Sequence, residues 1–96
     1  MPRIKWSDLA YLDLARLHAF LAPLSRETAN RAIRAIQKGV QPLAEHPGIG
    51  RLVDDMPPEF REWIVQFGNG AYIVRYEIVG KQVVILRIRH SREAEY

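Results

Sequence analysis

The sequence predicts an α+β fold in which an N-terminal helical hairpin packs on a small antiparallel sheet of three to four strands, as one domain over residues 1–96. Three observations carry this expectation. Apolar residues recur at helical spacing through the first half, they alternate with polar ones through the last third, and a run dense in proline and glycine separates the two regimes. With 96 residues to share, a second core would be too small to stabilise itself.

Arg3-Ile4-Lys5-Trp6 is short and alternating, a candidate first strand ended by Ser7. Ser7 is placed to cap a helix, with Asp8 in its first turn where a negative charge complements the helix dipole. Ala10, Leu14, Leu17 and Leu21 then form one stripe of a helix running to about Leu21. Leu12 and Phe20 lie off that stripe, so this helix either packs on two sides or offers a surface to a partner. Ala22-Pro23-Leu24-Ser25 punctuates the chain, and Ser25 can cap a second helix with a seam of Ala29, Ile33, Ile36, Val40 and Leu43. Pro42 would clash with the carbonyl four residues back, which predicts a kink or an end between Gly39 and Pro42. Arg31, Arg34 and Lys38 share a polar face and are read as solvated helix surface.

His46-Pro47-Gly48-Ile49-Gly50-Arg51 and Met56-Pro57-Pro58-Glu59 form a junction rich in turn residues. From Phe60 the period becomes two. A strand through Phe67, a Gly68-Asn69-Gly70 turn, a strand from Ala71 to Val79, a Gly80-Lys81 turn and a closing strand make an antiparallel meander. In the middle strand Tyr72, Val74, Tyr76 and Ile78 are expected on the dry face, with Ile73, Arg75, Glu77 and Val79 on the wetter one. In the closing strand, Val84, Leu86, Ile88 and His90 fall on one face by simple alternation, with Val83, Ile85, Arg87 and Arg89 on the other.

Composition narrows the function. Cysteine is absent, which removes disulfides, thiol catalysis and soft metal ligands, and His18, His46 and His90 have no close metal-ligand spacing. No metal and no cofactor are expected. No apolar run approaches the roughly 20 residues that span a bilayer, and the N-terminus has no apolar stretch of a signal peptide, so the expected location is cytoplasmic with no membrane partner. The net charge of +3 rests on 11 Arg and 3 Lys, and arginine favours bidentate grips on carboxylate or phosphate.

The concentrated chemistry is at the sheet end, where Arg61, Arg75, Arg87, Arg89, His90 and Arg92 fall on strands or their exits. Arg61 and Arg75 are expected to pair with Glu62 and Glu77. His90 can transfer a proton near neutral pH, and arginines around it would stabilise a phosphorane-like transition state in RNA cleavage. The competing reading, preferred here, makes His90 a hydrogen-bonded residue at the edge of the core.

The helical hairpin, the Leu43-Ala44-Glu45-His46-Pro47-Gly48-Ile49-Gly50-Arg51 junction, Arg61 opening a strand, Tyr72-Ile73-Val74-Arg75-Tyr76 and Ile85-Leu86-Arg87-Ile88-Arg89-His90-Ser91-Arg92 together resemble the ParE branch of the RelE/ParE toxin superfamily. The resemblance covers nearly the whole chain. It implies the toxin of a bacterial type II toxin–antitoxin pair, neutralised by a cognate antitoxin and reaching operator DNA only through it. ParE-like members poison DNA gyrase, implying binding to gyrase, with its A subunit as the expected partner, and no chemistry of the toxin's own. Arg87, Arg89 and Arg92 are then the expected target contacts, and Leu12, Phe20 and Trp63 the expected antitoxin contacts. RelE-like members cleave mRNA on the ribosome, and for that activity the candidates are His90, Arg92 and Tyr96. Here the strand before the hairpin carries Gln66 and Phe67 where the RelE pattern is basic, and His90 stands six before Tyr96 where that pattern has arginine. A third possibility is a non-toxic corepressor of its own operon.

Overall fold

The computed structural model describes residues 3–93, in the order β1 (Arg3–Trp6), α1 (Asp8–Leu21), α2 (Arg26–Gly39), α3 (Pro42–Glu45), β2 (Arg51–Leu52), β3 (Phe60–Phe67), β4 (Gly70–Val79) and β5 (Gln82–His90). Both helix starts follow from the expected caps. Ser7 Oγ accepts from the Ala10 amide at 3.0 Å and Ser25 Oγ from the Thr28 amide at 3.1 Å, each satisfying a donor that the first helical turn leaves free. α2 stops at Gly39, and Pro42 opens the short α3, where its missing N–H has no helical partner to lose.

The sheet has five strands in the order β1-β5-β4-β3-β2. It contains the expected meander and is wider by one short strand at each edge. β1 pairs parallel with β5, Arg3 opposite Gln82 and Trp6 opposite Ile85, so the sheet is mixed rather than wholly antiparallel. Parallel strands need a long crossover, and the α1–α2 hairpin lies within that connection, which places it against the sheet. At the far edge, β2 pairs antiparallel with the start of β3. Gly68 and Gly80 take φ of +58° and +59° in the two tight turns, a region that costs glycine little.

The core sits between the hairpin and one face of the sheet. Ala10, Leu14 and Leu17 of α1 and Ala32, Ile36 and Val40 from α2 and its cap pack with Leu43, Val65, Tyr72, Val74, Tyr76, Val83, Ile85 and Ile88. The dry face of β4 is as expected, while Ile73 on its other face is also buried. Alternation in β5 is not simple. Arg75 pairs with Arg87 but Tyr76 pairs with Ile85, so Leu86 is an extra residue, a β-bulge. Val83 and Ile85 therefore face the core before the bulge, and Ile88 and His90 after it; the expected face of Val84, Leu86, Ile88 and His90 is corrected in its first half.

Candidate functional site

β1 ends opposite Ile85, which leaves the second half of β5 paired with β4 on one side and without a strand on its other edge. Side chains close that edge instead. Ser7 Oγ donates to the Leu86 carbonyl at 2.9 Å, Asp13 Oδ2 accepts from the Ile88 amide at 2.7 Å, Arg16 donates to the Ile88 carbonyl at 3.1 Å, and Glu93 Oε1 accepts from the His90 amide at 2.7 Å. Sheet edges invite unwanted pairing, and here α1 and the chain's own end block it.

Asp13 is 4% exposed, lying on the buried stripe of α1 three residues after Ala10 and four before Leu17. Besides the Ile88 amide it receives Arg87 Nε at 2.9 Å and Nη2 at 3.3 Å, with Arg16 Nη2 at 3.4 Å. Burial by itself would push the Asp13 carboxyl up, but the hydrogen bonds from Arg87 and Ile88, with the Arg87 charge and Arg16, hold it below the ordinary carboxylate value. Arg87, an expected target contact, is thus a brace between β5 and α1.

On the sheet face away from the helices, Glu62 is 8% exposed and takes Arg75 Nη2 at 2.8 Å and Arg51 Nη2 at 3.0 Å. Arg89, on the same face by its position after the bulge, lines a polar hollow with Arg51, Asp54, Glu62 and Arg75, and its Nη1 donates to the Glu93 carbonyl at 3.2 Å. The Arg75–Glu62 pairing matches expectation. Arg61 does something else: it donates to the carbonyls of Pro58, Gly48 and Gly50, tying the proline-glycine junction to β3. Tyr76 completes that tie, its hydroxyl donating to the Pro47 carbonyl and accepting from the Gly50 amide at 3.0 Å. Burial raises the Tyr76 phenol, and the Gly50 bond and the Arg61 charge only partly offset this.

Beyond the other end of α1 lies a groove of about 590 Å³ walled by Leu17, Phe20, Leu21, Phe67, Tyr72 and His90, with Arg16, Arg92 and Glu93 on its rim. The His90 ring meets the Tyr72 ring edge-on, centroids 5.3 Å apart, and lies so close to Gly70 that a β-carbon there would come within 2.8 Å of Nε2. The Arg92 amide donates to His90 Nδ1 at 3.1 Å, so the Nδ1 lone pair is engaged as an acceptor. Burial, with the Glu93 charge nearby, raises the Tyr72 phenol.

Of the expected antitoxin contacts, Leu12 is 64% and Phe20 76% exposed, whereas Trp63 is half-buried against the core with its indole N–H donating to the Gly39 carbonyl at 2.9 Å. Arg92 is exposed at the chain's end, on the groove rather than on the Arg89 face. Tyr96 lies outside the described residues. Among the described residues no three His, Asp or Glu side chains gather in a way that would hold a metal, and no helix is long and apolar enough to cross a membrane. The groove and the Asp13 brace were not legible in the sequence, because both depend on how α1 lies along the second half of β5.

The family model for the ParE toxin of the type II toxin–antitoxin system parDE matches residues 4–95. Among characterised proteins the chain is 34% identical to Toxin RelE3 of Caulobacter vibrioides, covering 97% of this chain and 98% of that protein. It is 33% identical to Toxin RelE1 of the same organism, over 84% of each. Among solved structures, a chain from the chromosomal ParDE toxin–antitoxin system of P. aeruginosa superposes with a TM-score of 0.77 at 27% identity, over 94% of this chain and 96% of that one. Sequence and overall fold agree: the chain belongs to the ParE toxin family of type II toxin–antitoxin systems.

Proposed function

We propose that this toxin arrests growth by binding DNA gyrase and trapping its cleaved-DNA intermediate, with no catalytic step of its own, until a cognate antitoxin neutralises it. The state of His90 carries the reading. Cleavage of RNA through the ribose 2′-hydroxyl needs a base to take that proton and an acid for the leaving oxygen. His90 Nδ1 is already engaged by the Arg92 amide, so the ring offers an N–H and no free lone pair. Glu93, the carboxylate at the groove, is held by Arg16 and the His90 amide, and the Tyr72 phenol is raised further from ionisation. Of the arginines expected around His90, Arg87 braces α1 and Arg89 lies on the opposite face, so Arg92 lines the groove with Arg16, which Asp13 and Glu93 already engage.

Target contact falls chiefly to Arg92, exposed at the end of the sheet, with Arg89 contributing from the other face and Arg87 holding the strand in place. Purified toxin should inhibit gyrase supercoiling and raise the cleaved complex, and the purified antitoxin should reverse both effects. Untouched supercoiling at concentrations that stop growth, with translation halted at once, would instead identify a ribosome-dependent nuclease. Induction without growth arrest, in the absence of the neighbouring gene, would identify a corepressor.

A further inference from the structure

We propose that the sheet face turned away from the helices binds the phosphate backbone of duplex DNA, through a row of arginines laid across β2 to β5. The inference rests on the gyrase reading, and the duplex is assigned to the DNA held in the cleaved complex. Strand register builds the row. Arg51 of β2 stands opposite Glu62 of β3, Glu62 opposite Arg75 of β4, and Arg75 opposite Arg87 of β5. With neighbouring strands about 4.8 Å apart, the row runs roughly 14 Å from Arg51 to Arg87. Arg89 stands one step to the side, opposite Ile73, and Ile64 completes that second row. Like charges directly opposite on paired strands are destabilising, so Arg75 facing Arg87 is a cost that a purely structural face would avoid. Two carboxylates draw the pair apart: Glu62 takes Arg75 Nε at 3.1 Å and Nη2 at 2.8 Å, and Asp13 takes Arg87 on the far side.

A row of cations suits a polyanion better than a single anion. These arginines gather around two buried carboxylates, Glu62 and Asp13, so positive charge is left over at the surface. Of the other acids, Glu77 lies two residues on from Arg75, on the side of the row away from Arg89, and Asp54 is exposed on the loop after β2. Arg51 is the most open member: its side chain is 56% exposed and meets Glu62 through Nη2, so its fork can also take a phosphate oxygen. No aromatic ring lines the hollow between Arg51 and Arg89. That removes the stacking platform on which single strands bind and leaves a duplex backbone as the polyanion that fits. Guanidinium forks take phosphate bidentately, and Glu62, by holding two of them in place beforehand, lowers the cost of ordering them on binding.

The test uses the full toxin, a short fluorescent DNA duplex of arbitrary sequence and purified gyrase, with Arg51→Gln and Arg89→Gln as variants. Arg34→Gln, on the exposed polar side of α2, removes the same charge from the helix layer and serves as the control. Wild type should bind the duplex with an affinity that falls linearly with salt on logarithmic axes. Arg51→Gln and Arg89→Gln should each weaken binding about threefold or more at low salt and make the salt slope shallower by roughly 0.9. Each should raise the concentration that half-inhibits supercoiling by a similar factor, while Arg34→Gln matches wild type in both assays. Urea midpoints check that the variants fold, and Arg51→Gln, at the more exposed site, carries the test should Arg89→Gln unfold. Absence of duplex binding by wild type, equal losses from Arg34→Gln, or unchanged gyrase inhibition by both row variants would overturn the inference while leaving the gyrase reading intact. So would a polyglutamate peptide that competes as well as unlabelled duplex, which would identify an acidic protein surface as the partner of this face. A wild-type toxin that leaves supercoiling untouched would sink the gyrase reading, and this inference with it.

Discussion

Replacing Asp13 by alanine should cost about 3 kcal/mol of stability, and the structure supplies the terms. The Ile88 amide, on a fully buried residue, loses its 2.7 Å acceptor, and an unsatisfied buried donor costs about 1–3 kcal/mol. Arg87 loses its carboxylate as well. Breaking a fully buried pair costs roughly 3–5 kcal/mol, but the Arg87 side chain is 34% exposed, so water takes part of its charge and about 1–2 kcal/mol remains. In urea, with an m-value of about 1 kcal/mol/M for a domain this small, the midpoint should fall by roughly 2–3 M. Asp13→Asn keeps an oxygen for Ile88 and loses the charge, so it should cost about half as much. A loss under about 1 kcal/mol for alanine, or equal losses for alanine and asparagine, would refute the brace. The pH dependence checks the same contact. Because the folded carboxyl titrates below its unfolded value of about 3.9, its contribution is complete above about pH 4 and disappears as the pH falls through the folded value. The stability gap between wild type and Asp13→Asn should therefore narrow on acidification from neutrality to below pH 4, and a gap that widens would contradict the assignment.

Tyr76→Phe removes the hydroxyl that the Gly50 amide and the Pro47 carbonyl share, and should cost about 1–3 kcal/mol in urea unfolding, with amide exchange rising selectively across residues 47–50; a neutral result would mean that Arg61 holds the junction alone. Gly70→Ala puts a β-carbon within 2.8 Å of His90 Nε2 and should destabilise by about 1–3 kcal/mol through displacement of the ring. Its effect should shrink in a His90→Ala background, and simple additivity of the two would show that the ring is free to move aside.

Local chemistry was the legible part of this fold. Ser7 and Ser25 cap the helices because a hydroxyl there meets an amide three residues on, and Gly68 and Gly80 mark turns because they accept positive φ. The short β2 was illegible, since two residues carry no period, and so was the parallel placement of β1, which depends on a partner some eighty residues away. The bulge at Leu86 was hidden for a sharper reason. Val83-Val84-Ile85-Leu86 is apolar throughout, so the strand has no alternation from which its inward face can be chosen, and pairing with β4 makes the choice instead.

That one extra residue also decides the chemistry of the strand's end. Without it, the inward position of Val83 and Ile85 would put Arg87 and Arg89 inward too, where two guanidiniums would need buried partners, and it would turn Ile88 and His90 out to solvent. With it, Ile88 enters the core, His90 packs on Tyr72 and Gly70, and Arg87 is left within reach of the single buried carboxylate on α1. A row of alternating cations thus separates into a structural brace at Arg87, a surface residue on the open face at Arg89 and an exposed terminal cation at Arg92. Their shared charge made them one cluster in the sequence. What distinguishes them is the distance to a carboxylate, and that distance is fixed by Asp13 on a helix seventy-four residues earlier.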